Sequence, residues 1–215
     1  MARTIVYIDG FNLYYRALKG TAHKWLDIAA MSRAALPSTC QIEAINYYTA
    51  HISGRVDPDA PKRQHAYLRA IATLPNVAIH YGNFLVSQKW AGLVQPPAFR
   101  PKIVIPANPR PEVAYVWKTE EKGSDVNLGA HLVRDAFRGR FDLGAVLTND
   151  TDLVEPIRIV TQELHLPVTL LTPSAASLIE VATSIWHIRP YVGPSQLPNP
   201  VPVPGKRSIA RPTAW

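Results

Sequence analysis

Two short apolar runs, each ending on a carboxylate and each followed by a helix-like stretch, constrain this chain most. The first, Thr4-Ile-Val-Tyr-Ile8, runs into Asp9-Gly10; the second, Leu143-Gly-Ala-Val-Leu147, runs into Thr148-Asn-Asp150-Thr-Asp152. Continuous apolar runs of this length fit strands buried on both faces of a parallel sheet. Ligands bind outside the carboxyl ends of such strands, so the acids are expected to converge in one crevice.

The rest of the chain alternates between strand and helix. Residues 12–18 and 27–36 read as helices, the second stopped by Pro37, and 43–52 as a strand ended by Ser53-Gly54. Asp57-Pro58 and Pro61 open a helix with Tyr67, Leu68 and Ile71 on its apolar face, ending near Leu74-Pro75, and 77–81 is a third strand. Residues 84–111 are crowded with prolines, interleaved with Trp90, Phe99, Lys102 and Arg110, and read as an insertion with a hairpin and an extended loop. A strand at 112–118, a helix from Asp125 to Gly139, and then strand (143–147), helix (153–164), strand (168–171) and helix (175–182) complete a doubly wound α/β pattern. Residues 190–215 form a proline-rich basic tail that lacks a core of its own; it packs along the domain, hangs free as a basic arm, or binds a protein partner.

Length and charge bound what this frame serves. At 215 residues it suits one domain with appendages, and a net charge of +7 beside acidic strand ends suggests a polyanionic partner together with a cation. Cys40 is the only cysteine, which excludes an internal disulfide and fits a reducing, cytoplasmic setting. No apolar run reaches the ~18 residues of a membrane span, so no membrane partner is expected. Homodimerisation stays open. The dinucleotide fingerprint, P-loop, nucleophile elbow and metal-spaced histidine pair are all absent from the sequence.

Four acids carry the candidate chemistry: Asp9, Asp125, Asp150 and Asp152. At an effective dielectric of about 20, two carboxylates ~4 Å apart repel by about 4 kcal/mol, so an empty cluster would be strained. A hard divalent cation, Mg²⁺ or Mn²⁺, would relieve it. The competing reading is that Asp9, Asp125 and Asp150 or Asp152 cap turns and helices one by one.

Tyr7-Ile-Asp9-Gly-Phe-Asn12, Glu121-Lys-Gly-Ser-Asp125-Val-Asn-Leu and Leu147-Thr-Asn-Asp150-Thr-Asp152-Leu resemble, in order and spacing, the three signature blocks of NYN-domain proteins of the PIN-like nuclease superfamily. The resemblance spans residues 3 to 188, and with it the domain is expected to run over 1–189. It implies a PIN-like Rossmannoid sheet and a Mg²⁺- or Mn²⁺-dependent endoribonuclease. Asp9, Asp125, Asp150 and Asp152 would then hold the metal and Asn12 would orient water or substrate. Two positions depart from the family pattern, His131 in place of an Asp and Thr148-Asn149 before Asp150. Lys118, Lys122, Arg16, Lys19 and Asn149 are candidates to meet RNA, with Tyr14, Tyr15, Trp90 or Trp117 to stack bases. The alternatives are an RNA-binding regulatory module with weak or lost catalysis and a phosphatase using Asp9 as nucleophile. Phe11 stands where the latter needs a second Asp.

Overall fold

Thr4 to Ile8 form the centre of β1 (Ala2–Asp9) because every side chain along it finds apolar cover. Val6 and Ile8 point into one hydrophobic cluster, Ile5 and Tyr7 into another on the opposite face. That alternation makes β1 a buried strand. The computed structural model describes all residues except 56, 106, 107, 174–177 and 214, and the backbone alone at 84 and 119.

The elements that follow are α1 (Gly10–Leu13), α2 (Ile28–Ala35), β2 (Cys40–Thr49), α3 (Ala60–Ile71), β3 (Val77–Tyr81), β4 (Asn83–Gly92), β5 (Val113–Lys122), α4 (Ser124–Phe137), β6 (Leu143–Leu147), α5 (Val154–Arg158), β7 (Val168–Thr172), β8 (Ser184–His187) and α6 (Arg189–Val192). Six strands form one parallel sheet in the order β3-β2-β1-β6-β7-β8. The order reverses between β1 and β6. In a doubly wound sheet that reversal opens the ligand crevice. One face is covered by α2, α3 and the segment after β8, the other by α4 and α5.

The expected strand at 112–118 exists but is not part of this sheet. It belongs to β5, which pairs antiparallel with β4 in a separate two-stranded arm, from Asn83 opposite Lys122 to Gly92 opposite Val113. The proline-rich stretch is its connection. Such an arm exposes both faces, which is why Trp90, Tyr115 and Trp117 are more than half exposed. The expected helix at 153–164 is cut into a 3-10 turn (Thr151–Leu153), α5 and a π-helical turn (Ile159–Glu163). The helix expected at 175–182 begins outside the described residues, and 178–181 form a turn. β8 was not expected; its exposed, alternating residues give little apolar signal.

The proline-rich tail packs along the domain. Leu197, Val201 and Ile209 are buried in the cluster beneath α2 and α3, and the indole N–H of Trp25 donates to the Pro198 carbonyl at 3.0 Å. Among the described residues no helix is long and apolar enough to cross a membrane.

Candidate active site

Adjacent parallel strands place Asp9, at the end of β1, beside Thr148, just past the end of β6. The Thr148 hydroxyl donates to Asp9 Oδ2 at 3.0 Å and accepts the Asp150 N–H at 3.1 Å. Asp9 Oδ1 accepts the Asn12 N–H at 2.9 Å, and so caps α1. Asp9 is 5% exposed; burial pushes its carboxyl upward, while the Asn12 and Thr148 hydrogen bonds pull the other way. Asp150 in turn caps the 3-10 turn through the Asp152 N–H at 3.0 Å.

Asp125 reaches the same crevice from the first turn of α4. Gly123, with φ +93°, turns the chain out of the arm into that helix, a backbone geometry that favours glycine. Glu121 Oε1 accepts the Ser124 N–H at 3.0 Å, so Glu121 and not Asp125 serves the start of α4. Free of that duty, Asp125 has its carboxyl pushed up to about 7, first by burial and then by the charges of Asp9, Asp150, Glu121 and Asp152. A carboxyl of that kind is half ionised near neutral pH and suits proton transfer.

The crevice is a cavity of about 690 Å³ whose acids are Asp9, Asp57, Glu121, Asp125 and Asp150 and whose cations are Arg16 and Arg55; Asp57 is paired with Arg63. Arg55 also stacks 3.9 Å from the Trp117 ring centre, tying the arm to the rim. Asn12 Oδ1 is buried on this wall with no hydrogen-bond partner among the described residues. An orphaned buried acceptor costs free energy until a donor arrives.

A second pocket, about 220 Å³, adjoins the crevice and shares Phe11, Tyr15, Ile52, Asp57 and Ala60 with it. Six aromatic side chains line it: Tyr14, Tyr47, Tyr67 and Trp215 join Phe11 and Tyr15. Trp215 sits edge-on to Tyr67 at 5.8 Å and to Trp25 at 5.7 Å, and Tyr47 edge-on to Tyr67 at 6.4 Å.

The site residues expected from the sequence divide. Asp9, Asp125, Asp150, Asn12 and Arg16 all line the crevice. Asp152 and Lys122 line an adjoining groove, which shares Glu121 and Asp125 with the crevice. Lys118 lies on the arm, ion-paired with Glu120, and Asn149 is half-buried between Thr148 and Asp150 without lining the crevice. Capping, the competing reading, holds for Asp9 and Asp150 and fails for Asp125. Glu121, Arg55 and Thr148 were given no role by the sequence: Glu121 lies within a strand, Arg55 in a loop, and Thr148 acts only through its neighbour.

The Mg²⁺ or Mn²⁺ expectation is not supported by the geometry. Among the described residues no group of three or more His, Cys, Asp or Glu side chains is arranged to hold a metal ion. The acids are spread along the crevice and engaged with backbone N–H groups and Thr148, and Asp125 lowers the local repulsion by taking up a proton.

No family model matches the chain. It is 29% identical over an alignment of 243 residues to 6-hydroxy-3-succinoylpyridine 3-monooxygenase HspA of Pseudomonas putida, covering 99% of this chain and 75% of that protein. In structure it is similar to a protein of unknown function from Vibrio parahaemolyticus, with a TM-score of 0.51 and 17% identity over 87% of this chain and 93% of that one. That likeness concerns the fold alone. The first overturns the expected ribonuclease, its RNA-binding alternative and its hydrolytic metal: a relative along nearly the whole chain is named as an oxidoreductase.

Proposed function

We propose that this protein is an oxidoreductase of the monooxygenase type acting on a small hydroxylated aromatic ring, with the crevice at the ends of β1 and β6 as its reaction site. The similarity to the Pseudomonas putida monooxygenase supports the reaction class. Asp125 carries the placement of the site, as a half-ionised carboxyl in the crevice that a doubly wound sheet offers to ligands. The sheet is read as the PIN-like Rossmannoid that the three sequence blocks resemble, put to a different chemistry.

The overall change is ArH + O₂ + 2e⁻ + 2H⁺ → ArOH + H₂O, with dioxygen as oxidant and a reduced nicotinamide or flavin as the two-electron donor. The crevice does not fit the phosphates of such a donor. Asp9, Glu121, Asp125 and Asp150 would face them, and only Gly10 follows β1 where a pyrophosphate site needs a glycine-rich turn. A Cβ at Gly10 would already lie 2.6 Å from the Tyr47 ring, so backbone and ring are in contact there and leave no room for a phosphate. The crevice therefore offers no seat to a resident dinucleotide.

What the chain's own residues do is bind, orient and take a proton. A ring hydroxyl of the phenol kind, with a pKa near 10, gives up its proton to an ordinary carboxylate at a cost of about 8 kcal/mol. Transfer to a carboxyl held at about 7 costs roughly half of that, about 4 kcal/mol. Removing this proton makes the ring electron-rich toward an oxygen electrophile. Asn12 lines the crevice beside the bound ring, and Arg16 and Arg55 offset the negative charge that develops.

The test is turnover of a hydroxypyridine bearing an acyl carboxylate under ¹⁸O₂, with NADH and free flavin as reductants. One ¹⁸O atom per product is expected. Product formed with the oxygen of water, or no product with either reductant, would overturn the reading.

A further inference from the structure

The aromatic pocket beside the crevice has no part in the proton transfer, yet it is open, lined and sized. An apolar cavity of about 150 Å³ holds benzene, so the 220 Å³ here suits one substituted ring and is too small for a tricyclic flavin ring. Its walls offer ring faces and edges: Tyr67 meets both Tyr47 and Trp215 edge-on, and Phe11, Tyr14 and Tyr15 complete the lining. Tyr67 is already satisfied, its hydroxyl donating to the Leu26 carbonyl at 3.0 Å, so it contributes an apolar wall. The charges at the rim are unequal. Arg63 is neutralised by Asp57, whereas Lys24 has no ion pair among the described residues.

We propose that this pocket is the ring slot of the protein and that it takes a single planar aromatic ring bearing a carboxylate, with Lys24 facing the carboxylate and Trp215 closing the slot from the C-terminal segment. The shared residues Phe11, Tyr15 and Ile52 make slot and crevice continuous, so a ring seated there presents its substituents toward the acids. As a substrate site the slot rests on the oxygenase reading; as a binding site it stands without it. Trp215 is held in the slot wall by edge-on packing against Trp25 and Tyr67.

Binding to the full chain, with no reductant present, separates the two. The probes are 6-hydroxynicotinate, its neutral amide, and a tricyclic acridine carboxylate, measured by calorimetry. The expected order is carboxylate above amide, by up to about fivefold for one partly exposed ion pair, with no binding of the tricyclic ring. Trp215→Ala should weaken 6-hydroxynicotinate by about tenfold through lost ring contacts. Lys24→Met, a surface change that leaves the core intact, should erase the preference for carboxylate over amide. Absence of 6-hydroxynicotinate binding, equal binding of the tricyclic ring, or indifference to both variants would each overturn the slot. Variant-sensitive binding without ¹⁸O product would leave the slot standing and sink the oxygenase reading. Product formation untouched by Trp215→Ala and Lys24→Met would do the reverse.

Discussion

The crevice and the aromatic pocket share five wall residues and little of their chemistry. In the crevice, carboxylates crowd at strand ends and one of them is driven toward neutrality. In the pocket, burial holds tyrosines neutral, with Tyr67 pushed well up and Tyr47 pushed up for the same reason. The difference follows from topology. Strand ends at a reversal of sheet order are left uncovered, so polar residues gather there. The flank beneath α3 is roofed by the C-terminal segment and fills with rings.

The largest expected effect breaks the crevice alone. Asp125→Asn cannot accept a proton, and turnover should fall by at least about 100-fold, as for loss of a general base, while 6-hydroxynicotinate affinity changes little. In the unsubstituted protein kcat/KM should rise with pH through about 7, the point at which the Asp125 carboxyl ionises. A flat profile from pH 5 to 9 would remove Asp125 from the chemistry.

Next in size, Gly10→Ala breaks the pocket. Its Cβ would stand 2.6 Å from Tyr47 Cζ and Oη, and forcing that ring aside should cost about 1–3 kcal/mol in stability. At roughly 2–4 °C per kcal/mol for a chain of this size, a lowered melting temperature and a lost ring site are expected. An unchanged melting temperature would show that Tyr47 moves freely.

Thr148→Val sharpens the comparison. It removes the hydroxyl that donates to Asp9, one of the bonds that hold the Asp9 pKa down against burial. The Asp9 carboxyl should titrate higher once that hydrogen bond to its charged form is gone. No change in its carboxyl NMR midpoint would show that the bond contributes nothing.

The smallest effect is on stability. Asp125 binds its proton more tightly folded than unfolded, so its contribution is fully present below pH 3.8 and is lost as pH rises through about 7. Above neutral pH an ionised Asp125 therefore weighs against the fold. Asp125→Asn should raise the melting temperature at pH 8, by a few degrees once solvent screening of this half-buried group is allowed for, and change little at pH 4. A lower melting temperature at pH 8 would contradict that.

Much of this frame was legible in the sequence, since the cores of β1, β6 and β7 are short, largely apolar runs, β-branched in β1 and β7, bounded by polar or turn residues. Asp9 and Asp150 were placed in one crevice by the logic of strand ends, and Asp125 by its place at the start of a helix that follows a strand. Asp152, two residues past the strand end on a 3-10 turn, lines the adjoining groove together with Asp125 and Glu121, and its charge still acts on the Asp125 carboxyl. The metal was inferred from repulsion among acids, but repulsion is relieved as well by protonating one of them, and sequence does not show which carboxyl is buried deeply enough to take a proton. The pocket was invisible, because Tyr47, Tyr67 and Trp215 are far apart in the chain and meet only through β2, α3 and the packed tail. Lys118 was assigned to RNA on proximity in sequence, yet its strand belongs to the arm.

Titration of the Asp125 carboxyl carbon by NMR, assigned by its loss in Asp125→Asn, tests the account most directly. The account predicts a midpoint near 7, moving when 6-hydroxynicotinate fills the adjoining slot. A midpoint in the ordinary carboxylate range of about 4, unmoved by the ring, would contradict it.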